Sequence, residues 1–86
     1  MLKIKDNVDL KELEKFGFEQ ADFNKDYLIK YIYIDKEINY ETLYINKITR
    51  EITAYDDYAD DIIPIQEEWI KEIENLVEKV GDNQWH

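Results

Sequence analysis

The spacing of hydrophobic residues along the chain changes from helical to alternating and then back to helical. Leu10, Leu13 and Phe16 recur at the spacing of one helix face. From residue 27 to residue 55, β-branched and aromatic residues dominate and alternate with polar ones, as in half-buried strands. Residues 65–80 return to helical spacing. The pattern therefore predicts a short helix, a sheet and a second, longer helix.

The first helix is predicted over residues 9–16 and has a signal at each end. Asp9 followed three residues later by Glu12 forms a capping box, in which each side chain accepts a hydrogen bond from a backbone N–H at the helix start. Gly17 lies where a helix ends in the left-handed conformation, and Phe18 follows as the residue that packs back on the helix. A helix this short needs the rest of the fold to hold it.

Three strands are predicted in the middle of the chain, and a fourth can be drawn before them. The three cover residues 27–34, 40–45 and 50–55, and the fourth would lie within residues 18–23. The connections at residues 35–37 and 46–49 have the polar composition of turns. Because such connections are too short for parallel crossovers, the sheet should be an antiparallel meander.

Alternation places aliphatic residues on one face of the predicted sheet and tyrosines on the other. The aliphatic face carries Leu28, Ile32, Ile34, Leu43, Ile45, Ile52 and Ala54, together with Lys30. The opposite face carries Tyr27, Tyr31, Tyr33, Tyr40, Tyr44 and Tyr55. If the helices cover the aliphatic face, the tyrosines lie on the open face, where they suit a protein interface. Alternatively, these tyrosines are simply good strand formers that pair across strands.

The second helix is predicted to begin near Pro64, to continue to Val80 and to end at Gly81. Its hydrophobic stripe is typical of a helix packed on a sheet, and it consists of Ile65, Trp69, Ile70, Ile73, Leu76, Val77 and Val80. Membership of this stripe favours Trp69 as a core residue over an exposed contact. The other side of the helix is acidic and carries Glu67, Glu68, Glu72, Glu74 and Glu78 against only Lys71 and Lys79.

Together these elements predict an α+β fold in a single domain over residues 1–86. The fold would consist of a short N-terminal helix, a three- or four-stranded antiparallel sheet, and a C-terminal helix packed on one sheet face. A chain of this length buries only about 60–65% of its unfolded surface, so its stability should be modest.

The net charge of −10 is distributed unevenly. Residues 1–50 carry 10 acids and 9 bases, a net charge of −1, whereas residues 51–86 carry 11 acids and 2 bases, a net charge of −9. A surface of one sign repels nucleic acid and anionic membranes and attracts basic protein surfaces. We therefore expect a basic protein partner, with no direct binding of nucleic acid or membrane.

The segment Asp56-Asp57-Tyr58-Ala59-Asp60-Asp61 places four carboxylates between the last predicted strand and the second helix. Such a cluster could hold a hard cation, but it lacks the spacing, the central Gly and the closing Glu of an EF-hand loop. The alternative is a solvated loop whose acids also favour the start of the following helix through its dipole. We therefore predict neither a metal site nor a cofactor.

Residues suited to enzymatic chemistry are scarce. Cysteine is absent, His86 is the only histidine and the last residue, and Gly17 and Gly81 are the only glycines, so no phosphate-binding loop exists. We expect a protein that is not an enzyme. The apolar runs are too short to span a bilayer, and residues 1–5 lack the apolar core of a signal peptide, which makes a soluble cytoplasmic protein the default.

Three stretches resemble small, uncharacterised, acidic proteins of phages and prophages of low-GC Gram-positive bacteria. They are LKIKDNVDLKELEKFGF at residues 2–18, INKITREI at residues 45–52 and LVEKV at residues 76–80. The resemblance implies a phage accessory protein and brings no catalytic residues with it. Phage proteins of this size and charge include inhibitors of host defence, among them anti-CRISPR proteins that look like mimics of DNA.

Charge and resemblance together predict a stoichiometric inhibitor that occupies the basic nucleic-acid groove of a host enzyme, with a CRISPR effector nuclease as the expected class. Carboxylates would stand in for phosphates and would speed association by electrostatic steering. The alternative is an assembly module, a homodimer joined through the tyrosine face, whose acids serve only solubility. The predicted partner-binding residues are Asp56, Asp57, Tyr58, Asp60, Asp61, Glu67, Glu68, Glu72, Tyr31, Tyr33 and Tyr44.

Overall fold

One antiparallel sheet dominates the fold. The computed structural model describes residues 1–33 and 40–80, and within them the sheet has seven strands. The strands are β1 (Leu2–Ile4), β2 (Glu19–Gln20), β3 (Tyr27–Tyr33), β4 (Tyr40–Asn46), β5 (Glu51–Asp56), β6 (Asp61–Ile63) and β7 (Val77–Lys79). A 3₁₀ helix (Leu10–Phe16) follows β1, and α1 (Glu67–Ile70) continues as a second 3₁₀ helix (Lys71–Leu76) before β7.

The strand order across the sheet is β2-β3-β4-β5-β1-β7. The far edge of β5 is shared by two short strands, because β1 pairs with Glu51 and Ile52 while β6 pairs with residues 54–56. The antiparallel meander predicted from the sequence therefore forms only the centre of a larger sheet.

The two faces of the sheet divide as the alternation predicts. Cross-strand register places Leu28, Ile45 and Ile52 in one row, and it places Leu43 opposite Ala54. All five side chains are buried, and they form the core together with Ile4, Val8, Leu13, Phe18 and Ile73 from outside the central strands. Both 3₁₀ helices contribute to this core, through Leu13 and Ile73. Tyr44 and Tyr55 alternate with these residues along β4 and β5, so their side chains lie on the other face of the sheet.

The predicted fold class, an α+β arrangement with an N-terminal helix and a C-terminal helix on a three- or four-stranded sheet, is wrong. Three of the additional strands, β1, β6 and β7, contain only three residues each. A three-residue segment is too short to show a period, and its extended conformation depends on backbone pairing with neighbouring strands. The strand drawn within residues 18–23 is reduced to the two residues of β2.

The first helical segment has the predicted ends but a tighter winding. The Asp9 side chain accepts a hydrogen bond from the Lys11 backbone N–H at 3.0 Å, and Gly17 adopts a φ of 94°. The Gly17 and Phe18 N–H groups donate back to the Glu14 and Leu13 carbonyls. These bonds close a 3₁₀ helix rather than the α-helix that the spacing predicted.

The predicted helix from Pro64 to Val80 is wrong in both its start and its end. Its α-helical part covers only Glu67–Ile70, and Ile70, with φ −115° and ψ 10°, leaves the helical region. At Val77 the backbone is fully extended and pairs with β1, opposite Ile4. The chain turns from helix to strand because this pairing satisfies backbone groups that β1 would otherwise expose at the sheet edge.

Some predictions fall outside residues 1–33 and 40–80. These are the turn at 35–37, Ile34 on the aliphatic face, the helix stop at Gly81, and His86. Among the residues that are described, no helix is long and apolar enough to cross a membrane.

Candidate partner-binding surface

Four aromatic rings lie together on the sheet face opposite the core, and we call them the aromatic cluster. Tyr44 lies at its centre, with the ring centroids of Phe23 and Tyr27 each 6.0 Å away and that of Tyr55 6.1 Å away. The interplanar angles are 61°, 88° and 83°, the edge-to-face geometry that aromatic pairs favour. The register explains the cluster, because Tyr44 on β4 lies between β3 and β5.

Phe23 joins the cluster from the loop between β2 and β3. The Gln20 side-chain amide donates to the Ala21 and Asn24 carbonyls, each at 3.2 Å. The Ala21 backbone N–H donates to the Tyr27 carbonyl at 3.0 Å. These hydrogen bonds fold the loop back on itself, and the Phe23 side chain reaches Tyr44 while remaining 65% exposed.

A notch of about 370 Å³ opens within the aromatic cluster. Its lining consists of Phe23, Tyr27, Tyr44, Thr53, Tyr55 and Ile62. Thr53 lies opposite Tyr44 in register and is the smallest of these side chains, which leaves space between the larger ones. Ile62 of β6 is 66% exposed. Two highly exposed large hydrophobic side chains, Phe23 and Ile62, beside partly exposed aromatic rings are typical of a protein-binding surface.

The acidic loop, residues 57–60, connects β5 to β6 by a tight turn. Asp56 Oδ1 accepts hydrogen bonds from the backbone N–H groups of Tyr58 at 2.9 Å and Ala59 at 3.0 Å. Asp60 adopts a φ of 60°, a left-handed conformation that aspartate tolerates better than most residues. This turn geometry returns the chain directly into β6.

Two hydrogen bonds hold the acidic loop at the edge of the aromatic cluster. Thr42 Oγ1 donates to Asp57 Oδ2 at 2.5 Å, and the Tyr55 hydroxyl donates to Asp60 Oδ1. Both donors belong to the sheet face that carries Tyr44. The aromatic rings and two loop carboxylates therefore form one continuous surface.

The surroundings of Tyr44 and Tyr55 raise the pKa of each hydroxyl above its ordinary value. The hydrogen bond to Asp60 raises the pKa of Tyr55 to about 12, with smaller contributions from burial and from the charge of Asp60. Burial raises the pKa of Tyr44, and the charges of Asp57 and, less strongly, Tyr31 act in the same direction. Both hydroxyls are therefore held in the protonated form, and that of Tyr55 is already committed as the donor to Asp60.

Glu41 is a buried carboxylate close to the same loop. It lies opposite Asp56 in the β4–β5 register and is only 5% exposed. Burial raises its pKa, and the nearby charges of Asp56 and Asp57 raise it further. Sequence reasoning did not single out Glu41, because alternation assigns it to the aliphatic face without indicating how deeply it is buried.

The structure does not bring the predicted acidic residues together on one surface. Glu68 and Glu72 line a groove that also contains Tyr31, so three of the predicted site residues meet there. The other lining residues include Lys30, Ile32, Glu41 and Trp69. Lys30 Nζ lies 3.4 Å from Glu72 Oε2, so this glutamate is already paired within the chain. Asp57 and Asp60, in contrast, accept hydrogen bonds from Thr42 and Tyr55 and do not line this groove.

The remaining predicted residues take varied positions. Tyr31 is 48% exposed and lies opposite Thr42, whereas Tyr58, at 72% exposed, lies at the tip of the acidic loop. Asp61 is exposed in β6 opposite Asp56, and Glu67 is exposed at the first position of α1. The backbone of Tyr33 pairs with β4, but its side chain lies outside the described part of the chain.

Six residues of this surface were not among the predicted site residues: Phe23, Tyr27, Thr42, Thr53, Tyr55 and Ile62. The sequence placed Tyr27 and Tyr55 on the tyrosine face without selecting them as partner-binding residues. Alternation does place Thr42 and Thr53 on the tyrosine face, and that signal could have found them. Phe23 lies in a loop and Ile62 in a three-residue strand. Such segments show no periodicity of hydrophobic residues, so the sequence does not indicate on which face of the sheet these two side chains lie.

Among residues 1–33 and 40–80, no group of three or more Asp, Glu, His or Cys side chains is arranged to hold a metal ion. No protein-family model, curated protein or solved structure matches the chain.

Proposed function

We propose that this protein is a non-enzymatic binding module that docks on a basic protein surface through the aromatic cluster and the acidic loop. The observation that carries the proposal is the pair of hydrogen bonds from Thr42 to Asp57 and from Tyr55 to Asp60. These bonds fix negative charge at the rim of an aromatic surface. The rings would supply contact area, and the carboxylates would steer a basic partner and select against acidic ones.

The partner surface that we propose is a basic groove that otherwise holds nucleic acid. A carboxylate held by a rigid turn can take the place of a backbone phosphate, and the net charge of −10 favours encounter with such a groove. The mimicry that we propose uses the acidic loop, where Thr42 and Tyr55 hold Asp57 and Asp60, whereas Glu72 is paired with Lys30. The narrower expectation of a CRISPR effector nuclease comes from the phage resemblance together with the size and charge of the chain.

Affinity capture from a bacterial lysate with immobilised variants tests the proposal. Asp57→Asn/Asp60→Asn removes the loop charges, and Phe23→Ser removes an exposed ring of the cluster. The matched control is Ile48→Ser/Glu67→Gln, which changes a 74% exposed isoleucine and an exposed helix carboxylate away from this surface. We expect a basic nucleic-acid-binding protein that is retained by the wild type and by the control but lost by the other two variants.

Salt and competition complete this experiment. The captured protein should elute between about 50 and 300 mM salt, as expected when exposed charges drive binding. Bound nucleic acid should be displaced from it by the wild-type protein at stoichiometric concentration. Retention of the same partner by Asp57→Asn/Asp60→Asn, or indifference to salt, would contradict the proposal.

The second candidate function is a homodimer through the tyrosine face, favoured by the exposure of Phe23, Tyr31 and Ile62. The two functions predict opposite effects of salt on binding. Two copies that each carry a charge of −10 repel, so a homodimer should tighten as salt increases, whereas a complex with a basic partner should weaken. Light scattering over a salt series gives the measurement, and a dimer that Tyr44→Ser or Tyr31→Ser disrupts would favour the second function.

A further inference from the structure

The notch in the aromatic cluster combines ring faces with carboxylates at one edge. The rings of Tyr27 and Tyr55 are nearly perpendicular to that of Tyr44, with interplanar angles of 88° and 83°. The aromatic rings that line this space of about 370 Å³ therefore have faces of different orientation. A ring face is the negative part of the aromatic quadrupole and attracts a cation placed within about 6 Å of its centroid. Such an arrangement is suited to a single cationic side chain.

The acidic edge adds hydrogen-bond acceptors to these rings. Tyr55 lines the notch and donates to Asp60, while Thr42, in register with Tyr55, donates to Asp57. An ionised carboxylate offers about four lone-pair sites, so one hydroxyl donor on each leaves most of its capacity for another donor. A cation seated against the rings would find these acceptors at the rim.

From this geometry we infer that the notch receives one arginine side chain of the partner. This inference rests on the proposed function, because it names the group by which the basic partner is recognised. A guanidinium is planar, stacks on aromatic faces, pairs with carboxylates through several N–H donors and is more weakly hydrated than an ammonium. Arginine therefore suits this notch better than lysine does.

The test uses two acetylated, amidated pentapeptides of sequence Gly-Gly-X-Gly-Gly, with arginine or the uncharged isostere citrulline at X. NMR spectra of the tyrosine rings are followed while each peptide is added to millimolar concentration. We expect the arginine peptide to shift Tyr27, Tyr44 and Tyr55 signals and the citrulline peptide to leave them unchanged. Replacing arginine by lysine should weaken binding about three- to tenfold.

Two variants keep the inference falsifiable without endangering the fold. Phe23→Ser removes a 65% exposed rim residue, and Asp60→Asn keeps a residue that tolerates the left-handed conformation while removing its charge. Each should weaken arginine binding about threefold or more, whereas Ile48→Ser should not. Equal shifts with arginine and citrulline peptides, or shifts that map elsewhere, would overturn the inference. If capture of a basic protein still maps to this surface in that case, the proposed function stands without it.

Discussion

At the scale of single residues, Arg50 ties the N-terminal segment to the sheet. Its Nη1 donates to the Lys5 and Val8 carbonyls, each at 2.8 Å, although its φ of 68° lies in the left-handed region. Arg50→Ala should lower the free energy of unfolding by about 2–3 kcal/mol, because these charge-assisted bonds are lost and the strain remains. Arg50→Gly loses the same bonds but relieves the strain, so it should be about 1 kcal/mol less destabilising.

Urea denaturation of the wild type and both variants measures these differences. Equal stability of the alanine and glycine variants would show that the left-handed backbone costs nothing here. An alanine variant as stable as the wild type would show that the two hydrogen bonds do not stabilise the fold.

Glu41 gives the residue-scale prediction for pH. Its folded-state pKa is raised by burial and by Asp56 and Asp57, so the folded state binds a proton more tightly than the unfolded state does. The stability linked to Glu41 is therefore fully present below the unfolded value near 4.5 and is lost as pH rises through the folded pKa. Glu41→Gln should raise the melting temperature at neutral pH and have little effect below about pH 4.

The control for Glu41 is Glu67→Gln, which removes the same charge from an exposed position. Thermal melts of both variants over a pH series distinguish a buried carboxylate from a general reduction of net charge. If both variants gain equally at neutral pH, the burial of Glu41 is not the cause.

At the scale of elements, Ile73 is the buried core residue of the segment from α1 to β7, and Trp69 packs against the same core with part of its surface exposed. Ile73 is 2% exposed, whereas Trp69 is only partly buried and lines the groove beside Lys30. Ile73→Ala should lower the free energy of unfolding by about 2–5 kcal/mol, as expected for a large side chain removed from a core. Trp69→Ala should cost less, because part of its surface is already exposed to water.

Denaturant unfolding of these two variants checks the assignment. The hydrophobic stripe in the sequence favours Trp69 as a core residue. A larger loss of unfolding free energy for Trp69→Ala than for Ile73→Ala would support that interpretation.

At the scale of the whole molecule, the net charge of −10 sets how the fold responds to salt. Like charges on a small surface repel one another, and ions screen that repulsion. Raising the salt concentration from about 20 to 300 mM should therefore raise the melting temperature. Glu67→Lys/Glu74→Lys changes the net charge from −10 to −6 at two exposed positions and should reduce this salt response. If the melting temperature of the variant rises with salt as much as that of the wild type, net charge is not the cause of the rise.

The sequence by itself determined the features that local patterns encode over several residues. Alternation over strands of six or seven residues divided Leu43 and Ile45 from Tyr44, and the signals at Asp9 and Gly17 placed the ends of the first helical segment. The sum of formal charges located the acidic half of the chain. Each of these features follows from residue order and needs no distant partner.

The tertiary structure alone decided the short strands and the composition of the candidate surface. Helical spacing of Leu76 and Val77 predicted a continuous helix, but backbone pairing with Leu2–Ile4 makes the chain extended over Val77–Lys79. Likewise, the carboxylates of the acidic loop look equivalent in sequence, and only contact with Thr42 and Tyr55 places Asp57 and Asp60 beside the aromatic rings. The physical reason is that three-residue strands and side-chain pairs depend on groups distant in the chain, whose approach no local period records.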